Sequence, residues 1–175
     1  MKRIILITGG QRSGKSAYAE QLALSLDAHP IYMATAHIWD EEFRLRVIQH
    51  QRRRGGQWEN IEEERQLSKH CIYNKVCVID CLTLWYTNFF YGDGKNIAEK
   101  IDVQEVLSNL KDEFDRFTQQ EATFIFVTNE IGSGGVSDHL LQRKFTDLEG
   151  WMNQYVAAKA DEVILMVAGI PVKIK

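Results

Sequence analysis

Apolar runs punctuate the chain at Arg3–Thr8, Pro30–Ala34, Val76–Asp80, Thr123–Thr128 and Glu162–Val167, with a shorter one at Val172–Ile174. Continuous apolarity, rather than alternation, marks strands buried on both faces of a parallel sheet. Between these runs the apolar residues return with helical spacing. Tyr18, Leu22 and Leu26 lie four apart, and Val103, Leu107, Leu110, Phe114 and Phe117 step by four and three. Leu141, Phe145, Leu148, Met152 and Tyr155 repeat that step. Such stripes are core faces without chemistry of their own. Strands alternating with helices predict an α/β fold, a mostly parallel sheet flanked by helices and joined by right-handed crossovers. Ile170-Pro171 suggests a turn into a final edge strand that runs antiparallel. The most loop-like stretch is Gly92–Gly94 with Lys95 and Asn96. No repeat, low-complexity tract or long linker divides the chain, so residues 1–175 are expected to form a single domain.

The junction of the first strand and the first helix carries the sharpest motif. Gly9-Gly10-Gln11-Arg12-Ser13-Gly14-Lys15-Ser16 fits G-x-x-x-x-G-K-[ST] at every fixed position, between an apolar run and an amphipathic stretch. Glycines let backbone amides turn inward around phosphate oxygens, and the new helix adds the positive end of its dipole. Lys15 is placed to reach the β and γ phosphates, and Ser16 to ligate Mg²⁺. The expected architecture is therefore P-loop NTPase-like.

Composition narrows the class. The chain has 175 residues, 45% hydrophobic and 26% charged, with a net charge of −3, which argues against a dedicated nucleic-acid binder. No apolar run approaches the ~18 residues of a membrane span, and Thr8-Gly9-Gly10 breaks the first run too early for a signal peptide. Cys71, Cys77 and Cys81 read as buried free thiols in a reducing compartment, and their spacing does not suggest zinc. The chain is expected to be cytoplasmic.

In an open α/β sheet, ligands gather beyond the carboxyl ends of the strands. The second strand is followed by Thr35-Ala36-His37, the third ends at Asp80-Cys81-Leu82-Thr83, and the fourth leads to Asn129-Glu130. Asp80 resembles the Walker-B carboxylate that holds Mg²⁺ directly or through water, the reading the P-loop favours; the alternative is the cap of a helix beginning near Leu82. Glu130 reads as a second acidic group near the phosphates or as a surface carboxylate. Thr35 reads as a phosphate donor or as a turn residue.

Residues 40–54 form a second centre. Asp40, Glu41 and Glu42 open the segment and Arg52, Arg53 and Arg54 close it, matching a helix macrodipole. Phe43, Val47 and His50 fall on one face, with Arg46 one turn before His50 and Arg53 and Arg54 one turn after. Guanidinium neighbours disfavour an imidazolium, so His50 is expected to stay neutral and nucleophilic near pH 7. Taken alone, the residues better suit an ordinary helix with a half-buried core histidine and a solvated basic end.

These segments together resemble the bifunctional adenosylcobinamide kinase / adenosylcobinamide-phosphate guanylyltransferase family of cobalamin biosynthesis. The resemblance runs from Thr8–Ser16 through Tyr32-Met33-Ala34-Thr35-Ala36, Asp40-Glu41-Glu42, Arg46, His50, Arg54, Trp58 and Glu62. It continues in Asp80-Cys81-Leu82-Thr83-Leu84-Trp85, Asn88, Thr128-Asn129-Glu130-Ile131-Gly132, Arg143-Lys144-Phe145, Asp147, Gly150 and Asn153-Gln154. It ends in Ala160–Val163 and Gly169–Lys175.

The resemblance implies that His50 is the nucleophile that takes GMP from GTP, and that Lys15 assists. It implies that Gly9, Gly10, Gln11, Arg12, Ser13, Gly14, Lys15 and Ser16 bind nucleoside triphosphate. Thr35, Ala36, His37, Gln51, Arg52, Arg53, Arg54, Glu62 and Asp80 would line the guanine-nucleotide site, with Ser16 and Asp80 on the Mg²⁺ side. Glu62 suits the guanine N1–H and N2–H donors; ribose or metal contact is the alternative. The implied substrates are ATP or GTP with adenosylcobinamide, then GTP with adenosylcobinamide phosphate. The implied assembly is a homo-oligomer, a trimer first. A P-loop alone would also serve a kinase of another small alcohol, a guanylyltransferase without kinase activity, or a GTP-binding sensor. One departure stands out: the family continues from Gly132 toward a Val-Pro pair, whereas here Ser133-Gly134-Gly135-Val136-Ser137-Asp138 predicts a looser loop.

Overall fold

The computed structural model describes residues 1–37, 41, 48, 55–92 and 100–175. The expected 40–54 helix, with His50, Gln51, Arg52, Arg53 and Arg54, lies outside the described residues apart from positions 41 and 48, and so does the loop at 93–96.

Strands β1 (Arg3–Gly9), β2 (Ile31–Ala34), β3 (Glu59–Glu62), β4 (Val76–Asp80), β5 (Thr123–Val127), β6 (Glu162–Val167) and β7 (Ile170–Lys173) form one sheet in the order β3-β2-β4-β5-β1-β6-β7. Neighbours from β3 to β6 pair in parallel, and β7 runs antiparallel to β6, as the sequence pattern predicted. Helices α1 (Lys15–Leu26), α2 (Leu82–Tyr91), α3 (Val103–Phe117) and α4 (Leu140–Lys159) connect them. Among the described residues, no helix is long and apolar enough to cross a membrane.

Strand residues alternate between two cores. Ile4, Leu6, Ile31, Met33, Cys77, Ile79, Phe124 and Phe126 pack on one face against α2, α3 and α4. Ile5, Ile7, Tyr32, Val78, Ile125 and Val127 pack on the other with Ala19 and Ala23 of α1. Covering both faces is why the strands read as unbroken apolar runs.

Four details depart from the sequence pattern. On α1 the buried residues are Lys15, Ala19 and Ala23, while Tyr18 and Leu22 are half-buried and Leu26 is exposed. Small side chains let α1 lie close to the sheet, and the larger ones flank that contact. The last turn is Ala168-Gly169, with φ of 51° and 83°, so Pro171 sits inside β7 opposite Met166. A two-residue hairpin turn with positive φ suits the strand twist, and an edge strand tolerates the missing proline amide. β3 was not foreseen, because Glu59-Asn60-Ile61-Glu62 is a polar, mostly exposed edge strand without an apolar run. Finally, Cys77 and Cys81 are buried but Cys71 is exposed, since it lies in the turn before β4.

Just beyond β3, Glu63 is buried and fastens the next turn. Its Oε1 accepts the Arg65 and Gln66 amides at 2.9 and 2.8 Å, and its Oε2 meets Lys69 Nζ at 2.6 Å and His70 Nε2 at 3.1 Å. Burial opposes its charge, but the bonds from Lys69, the two amides and His70 outweigh burial and hold the carboxyl at about 2, below its ordinary 4.5. A depressed pKa stabilises the fold fully above 4.5, and that contribution fades as pH falls toward 2. Glu63→Gln should therefore cost on the order of 2 kcal/mol at pH 7, with the gap to the parent closing in acid. Denaturant melts at pH 7 and pH 3 check this; an unchanged gap would refute it.

Candidate active site at the carboxyl rim of the sheet

The parallel register aligns the strand ends. Ala34 pairs with Glu62 and Asp80, Asp80 with Val127, and Ile7 with Val127. The segments after these positions share one rim, as the α/β rule requires.

The loop from Gly9 to Gly14 is shaped by its glycines. Gly9 has φ +148°, and a Cβ there would stand 2.6 Å from the Met166 carbonyl oxygen and 2.9 Å from Ser13 Oγ. Gly14 is left-handed at φ 97° and begins α1. The β6–β7 turn closes over the loop, with the Gly169 amide donating to the Ser13 carbonyl at 2.9 Å. Ser13 Oγ is buried without a hydrogen-bond partner among the described residues. Gly9→Ala should strain the backbone and push β6 away, costing about 1–3 kcal/mol. A paired melt and fluorescent-nucleotide titration should show both stability and binding reduced; parent-like values in both would contradict this account of the loop.

Lys15 is 7% exposed and donates from Nζ to the Gly10 carbonyl at 2.6 Å. Burial lowers its pKa, while Cys81, Asp80 and Glu149 pull the other way. Burial pushes the Cys81 thiol up to about 12, so near neutral pH the carboxylates are what favour the ammonium. Ser16 occupies the first turn of α1. Asp80 ends β4, and its Oδ2 accepts the Tyr32 hydroxyl at 2.6 Å. The Tyr32 ring meets Trp58 edge-on, with centroids 5.8 Å apart. The helix-cap alternative for Asp80 is not what the structure shows: Cys81 is the N-cap of α2, without a side-chain cap bond.

Thr35 is fully buried and donates its hydroxyl to the Cys81 carbonyl at 2.7 Å. It therefore ties the end of β2 to the end of β4, and Ala36 and His37 beyond it are half-buried. Asn88 Nδ2 donates to the Thr35 and Glu64 carbonyls at 2.7 and 2.8 Å, clamping the segments after β2 and β3. His37 Nδ1 lies 2.9 Å from Glu64 Oε1. Glu62 is exposed at the end of β3. Four strand spacings separate β3 from β1, so Glu62 and the Gly9–Ser16 loop stand roughly 19 Å apart across the sheet.

Glu130 turns back on its own loop, accepting the Gly132 amide at 2.7 Å and the Ser133 hydroxyl at 2.6 Å. Arg143 Nη1 donates to the Ser137 and Asp138 carbonyls at 3.0 and 2.8 Å. These bonds hold the two ends of the 133–138 segment, and Ser133–Val136 between them are exposed.

Glu149 is the residue the sequence pattern did not single out. It is 1% exposed on α4 and interacts electrostatically with Lys15. Its signal was available: a carboxylate four residues after Phe145 and three before Met152 lies on the apolar stripe itself.

A glycine-rich loop joining β1 to the head of α1, with Lys15 buried beside Asp80, defines a P-loop nucleotide-binding protein. The fold agrees with a solved ATPase from the type III secretion system of pathogenic bacteria, at a TM-score of 0.57 and 14% identity, covering 94% of this chain and 52% of that one. The family described as cobinamide kinase / cobinamide phosphate guanyltransferase, CobU, matches residues 5–174, and the chain belongs to it. It is similar to the bifunctional adenosylcobalamin biosynthesis protein CobU of Escherichia coli, with 37% identity over 98% of this chain and 99% of that protein. It also resembles the corresponding protein CobP of Pseudomonas aeruginosa, with 34% identity over 97% and 96% of the two chains.

Proposed function

We propose that this chain, as one domain over residues 1–175, phosphorylates adenosylcobinamide from ATP or GTP and then transfers GMP from GTP to adenosylcobinamide phosphate. The observation that carries the proposal is the P-loop, with Lys15 buried at its mouth, in a chain matched by the family from residue 5 to 174.

In the kinase step, the hydroxyl of the aminopropanol arm attacks the γ-phosphorus. A P–O bond forms to the acceptor, the P–O bond to the nucleoside diphosphate breaks, and the hydroxyl proton leaves to solvent. The amides of Gly9, Gly10, Gln11, Arg12, Ser13 and Gly14 surround the phosphates, and Lys15 offsets charge on the transferring group. Asp80 and Ser16 fit Mg²⁺: one carboxylate and one hydroxyl are the donors this ion takes when phosphates and water supply the rest. Bound there, Mg²⁺ would draw charge from the phosphate oxygens.

In the second step a nitrogen of His50 attacks the α-phosphorus of GTP. A P–N bond forms and pyrophosphate leaves. A phosphate oxygen of adenosylcobinamide phosphate then displaces His50, giving adenosylcobinamide-GDP. Splitting the transfer lets one site handle two bulky reactants in turn. Thr35 fixes the strand end that presents Ala36 and His37, while Glu62 accepts from guanine and Gln51, Arg52, Arg53 and Arg54 offset phosphate charge. In this step His50 and Lys15 must come close together at the triphosphate. We assign the enzyme to the cytoplasm, as a homo-oligomer with a trimer as first expectation, which light scattering checks.

Incubation of the full chain with α-labelled GTP and Mg²⁺ should leave acid-labile, base-stable label on the protein. Adenosylcobinamide with γ-labelled ATP should yield labelled adenosylcobinamide phosphate. Product without protein label would favour a kinase lacking guanylyltransfer, and binding without turnover would favour a nucleotide sensor.

A further inference from the structure

Glu149 lies on the buried face of α4, between Leu148 and Met152, close to the carboxyl ends of β4 and β5. Its Oε1 accepts the Thr83 hydroxyl at 2.6 Å, and Thr83 Oγ1 in turn accepts the Asn129 amide at 2.9 Å. Its Oε2 is buried with no hydrogen-bond partner among the described residues. An ionised carboxylate offers about four acceptor sites, and leaving most of them unmet in the interior is costly. A neutral hydroxyl on Oε2 is also unpaired, but burying it costs less than burying an anion, so the site favours the neutral acid.

Charged and titratable groups reach Glu149 from several elements. Lys15 faces it from the head of α1, Glu130 from the segment after β5, Cys81 from the junction of β4 and α2, and Tyr86 from α2. Burial raises the Glu149 carboxyl, against the Thr83 bond; Glu130 adds to the rise and Lys15 opposes it, leaving the group at about 7. Burial keeps both Cys81 and Tyr86 protonated in that range. Near neutrality the local charge is therefore set by Lys15 against the carboxylates.

We propose that Glu149 is a proton-holding positioning residue of the nucleotide site, which takes up a proton when a triphosphate settles against Lys15. The proposal rests on the P-loop reading above. Phosphate oxygens bring negative charge to the same ammonium that favours the Glu149 carboxylate, and added negative charge favours the neutral acid. The proton comes from solvent to Oε2 and returns when the nucleotide leaves. Neutral Glu149 keeps Thr83, and through it the Asn129 amide, in place at the rim without setting a second buried anion against the phosphates. By linkage, a ligand that raises a group's proton affinity binds the protonated protein better. Affinity must then fall as pH rises above 7, by at most about tenfold per pH unit for one proton.

The test is calorimetric titration of Mg·ATP into the full chain at pH 7.5, in two buffers of different ionisation enthalpy. The parent should take up a measurable fraction of a proton per nucleotide. Glu149→Gln, which keeps an acceptor for Thr83, should take up clearly less. Its affinity should be flatter from pH 6 to pH 9 and should exceed the parent's several-fold at the alkaline end. Equal uptake in both proteins, or weaker binding by the variant at every pH, overturns the proposal; the latter is what a merely structural role would give. If Glu149→Gln does not fold, the infrared difference spectrum of the parent with and without Mg·ATP decides: a gained protonated-carboxyl band supports the proposal and its absence overturns it. A parent that binds no Mg·ATP refutes the P-loop reading itself, a result distinct from binding without proton uptake.

Discussion

Lys15→Ala should lower kcat/KM of the kinase reaction by about 10³-fold and stop labelling of the chain by α-labelled GTP. Lys15 is a buried ammonium with one backbone acceptor, the Gly10 carbonyl, and carboxylates at Asp80 and Glu149. A cation held this deeply acts on developing phosphate charge with less screening from water than a surface lysine would. Removing it also leaves the Asp80 carboxylate facing the incoming triphosphate without a cation beside it. Lys15→Arg should not restore activity, because the forked guanidinium is broader than the ammonium and the residue is only 7% exposed. Steady-state kinetics with γ-labelled ATP measures the first effect and protein labelling the second. Activity within about tenfold of the parent would remove Lys15 from the mechanism.

His50→Ala should abolish the covalent label and the second reaction while leaving the kinase rate within the same order of magnitude. A missing nucleophile removes the intermediate altogether, whereas the γ-phosphoryl passes directly to its acceptor. Arg46 stands four positions before His50, and Arg53 and Arg54 three and four after it, a spacing from which the sequence alone leads one to expect a neutral imidazole. The label should therefore form readily at neutral pH in the parent. Undiminished label in the variant would assign the nucleophile to another residue. Loss of both activities together would show that His50 serves nucleotide binding in general.

Much of the fold was legible because its causes are local. The runs at Ile4–Ile7, Val76–Ile79 and Phe124–Val127 are apolar at consecutive positions, and only a sheet covered on both sides calls for that. The P-loop was legible for a similar reason: Gly9 and Gly14 hold backbone angles that side chains resist. β3 was not legible, since a polar edge strand is defined by its pairing to β2 and carries little signal of its own. The stripe on α1 misled at Leu26, where the helix contacts the sheet through alanines and the larger side chains stand aside.

The site divides along the same line. Gly9 to Ser16 announce phosphate chemistry by residue type and order, and Asp80 follows from its place at the end of an apolar strand. That Asp80 takes a bond from Tyr32 while Cys81 begins the helix depends on how β2 and β4 lie side by side. Thr35 turning inward and Glu130 folding onto its own loop are likewise outcomes of packing. Glu149 is the strongest case. Thr83, Asn129, Lys15 and Glu149 are scattered from residue 15 to residue 149 and meet only when β1, β4, β5 and α4 assemble. Sequence by itself determined the phosphate-binding loop and the layered sheet, because backbone sterics and apolar burial act residue by residue. Which carboxyls stand around that loop, and how deeply each is buried, came only from the assembled fold, because distant segments decide what is brought near and what is covered.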